Sequence, residues 1–297
     1  MRRLIVNADD FGLTAGVNRA IAEAHQRGIV TSSTLMATGA ACDDAVRLAL
    51  QTPALAVGCH VVLADGEPLS GAQQVPSLVA ESSIAKPGRG GFRDGFGSFA
   101  LAALRGRIRP DDIEREAAAQ IRKLQTTGVQ LTHVDTHKHL HMLPQVLAPL
   151  LRAARACGVA AVRNPFAPVK PLAFAHLARR PRLWRRYSEV RALRGWHTKF
   201  RSAVAAAGMA TTDGSLGVLG TGALDLPLLE AILGCMPEGT WEFVCHPGYN
   251  DADLDRVRTR LRQSRQQELA VLTSDRAREL IAERGIELIS YRDLAKT

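Results

Sequence analysis

Four of the nine histidines in this 297-residue chain fall within Thr132-His133-Val134-Asp135-Thr136-His137-Lys138-His139-Leu140-His141. His133, Asp135, His137, His139 and His141 occupy alternate positions, so an unbroken strand would turn all five side chains to one face. Imidazoles and a carboxylate converging on one point suit a borderline divalent cation. A lone histidine would read as a hydrogen-bonded core residue, but five alternating groups favour a metal site. Asn7-Ala8-Asp9-Asp10-Phe11-Gly12 is the second concentration of reactive groups. Neighbouring strand residues point to opposite sides, so one aspartate could bind a cation while the other stays free as a base. Two adjacent carboxylates ending a buried strand are costly without a cation. Their plainer use is to cap the helix that Thr14 starts.

His60 in Gly58-Cys59-His60 and His246 in Val244-Cys245-His246-Pro247-Gly248 each end an apolar run. Either one alone reads as well as a structural histidine. Arg163, in Val162-Arg163-Asn164-Pro165-Phe166, could hold a carboxylate ionised or make an ordinary surface ion pair.

These groups need a scaffold, and the apolar runs supply one. Leu4–Asn7, Ser33–Ala37, Ala56–Leu63, Leu131–His137, Val159–Arg163, Ser215–Leu219, Trp241–His246 and Glu287–Ser290 read as strands. Helical stretches alternate with them, among them Asp43–Leu50, Pro110–Leu124, Pro144–Ala154, Leu254–Leu269 and Arg276–Glu283. Repeated βα units predict one α/β domain over 1–297 with a parallel sheet, open or closed into a barrel. Barrels carry their reactive groups at the C-terminal ends of the strands. The aspartate pair, His60, His137, Arg163 and His246 all fall at such ends, which core packing alone explains poorly. Two segments break the rhythm. Residues 64–99 are rich in Gly, Ser and Pro and read as a flexible loop or a functional lid. Residues 168–206 form a basic amphipathic insertion.

The formal charge of +9 is concentrated in that insertion. Lys170 to Arg201 contains ten basic residues and one acid, Glu189, and the rest of the chain balances at 28 against 28. Arginines interleaved with Trp184, Tyr187 and Trp196 suit contact with an anionic membrane surface; a solvated arm or a homodimer contact fits as well. No nucleic-acid motif accompanies the charge, so none is expected as a partner. No apolar run reaches the roughly 20 residues of a spanning helix, and Leu4-Ile5-Val6 is too short for a signal-peptide core. Five cysteines without a C-x-x-C pair suit reduced thiols, and the expected compartment is the cytoplasm.

Taken together, Asn7–Gly12, Gly58–His60 with Leu63 and Glu67-Pro68-Leu69-Ser70, His133–Pro144 and Cys245-His246-Pro247-Gly248 resemble the YdjC-like carbohydrate deacetylases. The resemblance implies an irregular (β/α) barrel of about seven parallel strands, related to polysaccharide deacetylases. It also implies one divalent ion, Zn2+ or Mg2+, held by Asp10, His60 and His137. Asp9 matches the catalytic base, His246 the general acid, and Arg163 the residue that steadies the base. His133, Asp135 and His139 would orient these groups or touch substrate. The family usually reads Gly-Leu-His-Leu where this chain has Gly58-Cys59-His60-Val61, a change of volume beside the ligand. The implied reaction removes the acetyl group from an N-acetylglucosamine-type sugar. Within the family the chain looks most like members associated with hopanoid lipid synthesis. That implies a lipid-linked substrate met at the inner face of the membrane; a soluble chitooligosaccharide is the nearest alternative. A metal-dependent phosphoesterase and an inactive sugar- or lipid-binding module are the readings from other classes.

Overall fold

Eight strands, all parallel, carry the fold in the computed structural model, which describes residues 1–80 and 91–294. They are β1 (Arg2–Phe11), β2 (Ser32–Leu35), β3 (Ala56–Val61), β4 (Leu131–Thr136), β5 (Ala161–Val162), β6 (Gly214–Leu216), β7 (Gly239–Cys245) and β8 (Ile286–Ile289). Seven of them run in the order β5-β4-β3-β2-β1-β7-β6, curled into a half-barrel. β8 pairs with Arg2–Ile5 of β1, and β2 takes over from Asn7 onward. The edge strands β5 and β6 are bridged irregularly. Ala210 accepts from the Val162 amide at 2.9 Å and donates to Ala160 at 2.8 Å, and the Ser215 amide donates to Phe166 at 2.9 Å. The expected irregular barrel of parallel strands is thus the observed architecture.

Helices wrap the sheet: α1 (Ala15–Gln26), α2 (Cys42–Gln51), α3 (Gly95–Leu104), α4 (Pro110–Thr126) and α5 (Pro144–Ala156). After β5 come α6 (Phe174–Ala178), α7 (Trp184–Leu193) and α8 (His197–Ala206), then α9 (Leu226–Gly234), α10 (Ala252–Asp255), α11 (Gln263–Leu272), α12 (Asp275–Glu283) and α13 (Tyr291–Leu294). Thr14 opens α1 as read from sequence, its Oγ1 accepting from the Val17 amide at 3.2 Å. Proline stands in the first turn of both α4 and α5, where its missing N–H costs nothing.

α4 buries Ile113, Ala117, Ile121 and Leu124, spaced three and four apart, against the sheet. Its buried polar residues hold the chain that follows β3. Gln120 exchanges hydrogen bonds with both backbone groups of Val62, Glu116 accepts from the Leu69 and Ser70 amides, and Asp112 accepts from Ser77. Within the segment read as a flexible loop, residues 64–80 are therefore anchored, and α3 begins before its end. Residues 81–90 of that segment lie outside the described residues.

The basic insertion is a broken run of short helices, interrupted at Pro181 and Gly195, and not one long amphipathic helix. Among the described residues no helix is long and apolar enough to cross a membrane.

Candidate functional site

The half-barrel is filled by polar residues toward the strands' C-terminal ends and plugged by apolar ones beneath. Ile5, Ala161, Tyr291 and Leu294 form the plug. His133 stacks on Tyr291, with ring centroids 3.6 Å apart and planes 9° from parallel. Gly58 is required there, because a Cβ would stand 2.5 Å from the His133 ring. Burial holds His133 neutral, well below the usual imidazole range.

Arg163 lies above this plug, fully buried among three carboxylates. Its Nη1 and Nη2 donate to Asp9 Oδ2 and Oδ1 at 2.9 and 2.6 Å. Nε and Nη2 reach Glu242 Oε1 at 2.9 and 2.7 Å, and Nη1 also makes an ion pair with Asp135 Oδ2. Glu242 in turn accepts from the Tyr291 hydroxyl at 2.6 Å. Burial alone would raise the Asp9 carboxyl, but Arg163 overrides it and holds Asp9 well below the ordinary carboxylate range. Asn7 Nδ2 and Thr34 Oγ1 add hydrogen bonds to Asp9 Oδ1 at 3.0 and 3.2 Å. Oδ2 is left as the less encumbered oxygen. At Glu242 burial wins over Arg163 and its carboxyl is pushed up.

Asp10 reaches the same cleft as Asp9, contrary to the expectation that neighbours on a strand part company. Its φ of 69° is left-handed, and the β1–β2 register shifts between Ala8 and Phe11. This irregularity near the end of β1 brings both carboxylates to one wall. Asp10 Oδ1 lies 3.5 Å from His60 Nε2 and 3.3 Å from His137 Nδ1, and the two imidazole nitrogens are 3.3 Å apart. Tetrahedral coordination with bonds of about 2.1 Å would separate ligand atoms by roughly 3.4 Å. The three atoms are therefore spaced to hold a divalent ion. Asp10 Oδ2 accepts from Arg265 Nη2 at 2.5 Å. Burial would raise this carboxyl too, but Arg265 and then His137 bring it well below its usual range. His60 Nδ1 bonds Asp135 Oδ1 at 2.7 Å, which fixes the ring and points Nε2 at Asp10. Burial opposes charge on His60, yet Asp135, with Asp9 and Asp10, pushes its pKa up to about 9.

The five-residue alternation read at His133–His141 does not survive intact. β4 stops at Thr136, and Lys138 and His139 take left-handed backbone with φ of 58° and 53°. His133 and Asp135 stay in the chamber, and His137 reaches the cleft as the first residue past the strand. His139 lines the cleft from the turn, held neutral near pKa 3 by burial and then by Arg163. His141 turns away and packs buried beside Phe200. A shared face requires the strand to continue, and the left-handed pair prevents it.

His246 faces Asp9 across the cleft, its Nε2 3.9 Å from Asp9 Oδ2. Glu268 Oε2 accepts from the His246 amide at 2.6 Å. Arg265 and Glu268, one turn apart on α11, thus hold Asp10 and His246, and Gly248 leaves room for Arg265. Neither residue was singled out in the sequence, nor were Glu242 and Tyr291. Glu242 had a signal, since it shares the period-two face of β7 with His246. Arg265 and Glu268 offered only a spacing of three in an Arg/Gln-rich helix, and Tyr291 offered none.

The cleft above these groups has a volume of about 610 Å³ and is walled by Phe96, Met142, Phe166, Val190 and Leu193 among others. A carbohydrate deacetylase of Geobacillus stearothermophilus is 35% identical over 99% of both chains. A chitooligosaccharide deacetylase of Klebsiella pneumoniae (strain 342) is 33% identical, again over 99% of both. A solved structure from Enterococcus faecalis V583 superposes with a TM-score of 0.75 at 27% identity, covering 99% of this chain and 98% of that one. The family described as YdjC-like protein matches residues 3–283, and with relatives of this identity along its whole length the chain belongs to that family.

Proposed function

We propose that this protein is a divalent-metal-dependent carbohydrate deacetylase that hydrolyses the N-acetyl group of an N-acetylglucosamine-type sugar. The observation that carries the reading is the spacing of Asp10, His60 and His137 beside an Asp9 already held ionised. Asp10, His60 and His137 would hold the ion, Zn2+ or Mg2+, which when bound supplies Lewis acidity at the acetyl carbonyl. Asp9 accepts the proton of the attacking water at Oδ2, the oxygen turned to the cleft. Arg163 keeps that carboxylate charged and fixed in direction, at some cost in basicity. His246 Nε2, on the facing wall, delivers a proton to the departing amine. Water and amide are thereby converted to acetate and free amine. Asp135 orients both His60 and Arg163, His133 supports them from below, and His139 offers a neutral ring to the sugar.

The apolar part of the cleft wall favours a substrate with an apolar part, and the finer reading is a lipid-linked amino sugar of the hopanoid type. A phosphoesterase with two ions is less well supported. The second group of ligands with suitable spacing is Asp9, His60 and Asp135, and Arg163 already lies between two of its members.

The test is acetate release from N-acetylglucosaminyl hopanoid and from N,N'-diacetylchitobiose, with and without chelator. Release abolished by chelator, and lowered about 10²- to 10⁴-fold by Asp9→Asn with metal binding retained, is expected. Full activity of Asp9→Asn would remove Asp9 from its role. Release from chitobiose alone would remove the lipid from the reading but leave the chemistry.

A further inference from the structure

Exposed apolar side chains crowd one end of the molecule. Among the described residues ten large apolar side chains are exposed, and seven lie in the segments that leave β3 and β5 at the cleft end of the sheet. Leu69, Phe96, Leu101 and Leu104 follow β3; Val169, Phe174 and Trp184 follow β5. The other three stand elsewhere: Met1 before β1, Leu50 in the helix leading into β3, and Leu288 in β8. An even scatter would need no explanation, but concentration at one end does.

The group after β5 is the sharpest. Phe174 is 70% exposed, Val169 52% and Trp184 40%, and the Phe174 and Trp184 rings meet edge-on at 5.6 Å. Lys170, Arg179, Arg182 and Arg185 are exposed in the same segment. Its one acid, Glu189, pairs with Arg185 at 3.4 Å, so the face keeps a strong positive charge. α7 joins this face to the cleft, since it carries Trp184 at its start and Arg186, Val190 and Leu193 in the cleft wall. Phe96 brings the β3 segment to the same opening.

We propose that this end of the protein docks on an anionic lipid bilayer, with the cleft opening toward the membrane surface. Tryptophan and phenylalanine suit the headgroup boundary, and arginines beside them meet lipid phosphates. Charge complementarity selects an anionic bilayer over a neutral one. Exposed leucines on the second segment extend the contact in a way that a purely ionic partner would not reward. The docking rests on this face alone and does not depend on the reaction proposed above.

The experiment is flotation of the full chain with phosphatidylcholine vesicles, with and without phosphatidylglycerol. Binding is expected only with the anionic lipid, weakening as salt rises. Each of Arg179→Gln, Arg182→Gln and Arg185→Gln should lower partitioning about fivefold, and Phe174→Ser or Trp184→Ser about tenfold. Trp184 emission should shift to the blue on vesicles, and that shift should vanish in Trp184→Phe. Hydrolysis of soluble chitobiose, followed in parallel, should not change in these variants, which separates failed docking from failed chemistry. Absence of binding to anionic vesicles at low salt would overturn the proposal. So would binding that none of these substitutions weakens, or a dimer that the same substitutions dissolve without any vesicle binding.

Discussion

The chamber beneath the cleft and the insertion at its rim both collect arginine, and they use it in opposite ways. In the chamber a single guanidinium, Arg163, serves three carboxylates in full burial, and its direction decides where Asp9 points. At the rim Arg186, Arg191 and Arg194 donate to the backbone carbonyls of Thr221, Val169 and Ala167. Those contacts help to tie down a segment whose Leu172, Leu177 and Leu183 are buried in the core. Of its other cations Arg180 and Arg201 pair with Asp225 and Asp213, while Lys170, Arg179, Arg182 and Arg185 are exposed. In the chamber the charge is buried and fixed in direction; at the rim most of it stands exposed. The contrast predicts that equal chemical changes in the two places have very unequal effects.

The largest effect is expected at Arg163. Replacing it by methionine leaves Asp9, Asp135 and Glu242 facing one another without a cation, and unpaired buried charges cost about 3–5 kcal/mol. Urea unfolding of Arg163→Met should show a loss of that size. A loss below about 1 kcal/mol would mean that the carboxylates share protons well enough to do without the arginine, and the chamber would not be the rigid base described here.

How far this division was legible in the sequence follows from the same physics. Strand ends announce themselves, because an apolar run that stops at Asp9, His60, His137 or His246 places a costly group at a buried position. The parallel sheet and the capped helices follow from local periodicity, and they are observed. Three features left little local trace. Asp10 joins Asp9 through a left-handed residue that no pattern demands. Arg265 and Glu268 arrive from a helix about 255 and 22 residues away from their partners. Tyr291 closes the chamber floor from beyond the matched family region. The alternating histidines misled for a related reason: period two is a property of extended backbone, and the turn at Lys138 and His139 ends it.

A titration sharpens the comparison on the chamber side. His60 has a folded pKa of about 9, raised above its ordinary value of 6.5 by Asp135, Asp9 and Asp10. Its contribution to stability is therefore fully present below about pH 6.5 and is lost as the pH rises through 9. The loss should approach about 3 kcal/mol in chelator. Asp9, with its pKa lowered, acts in the other direction and withdraws its contribution only in acid. Added Zn2+ should flatten the alkaline loss, because a cation held by Asp10, His60 and His137 replaces the proton. An alkaline slope unchanged by Zn2+ would argue that the three groups do not bind it.

A smaller effect is expected from Tyr291→Phe, which removes one buried hydrogen bond to Glu242 and leaves the stacking on His133 in place. A hydrogen bond to a charged partner contributes about 1.5–3 kcal/mol. Burial pushes the Glu242 carboxyl up, so this partner loses its charge at a higher pH than an ordinary carboxylate and the loss should shrink in acid. Loss of hydrolysis out of proportion to stability would show that the chamber floor transmits to Asp9 through Arg163.

The smallest change belongs to the rim. Arg191→Gln removes a cation that donates to the backbone carbonyl of exposed Val169, and surface substitutions of this kind shift stability by no more than about 0.5 kcal/mol. Chitobiose hydrolysis should be untouched, because Arg191 does not line the cleft. Turnover of a lipid-linked substrate on anionic vesicles should fall through KM with kcat preserved, since the arginine acts before the chemistry. A fall in kcat with unchanged KM would place the insertion among the groups that shape the transition state. The separation between chamber and rim would then give way to one coupled site.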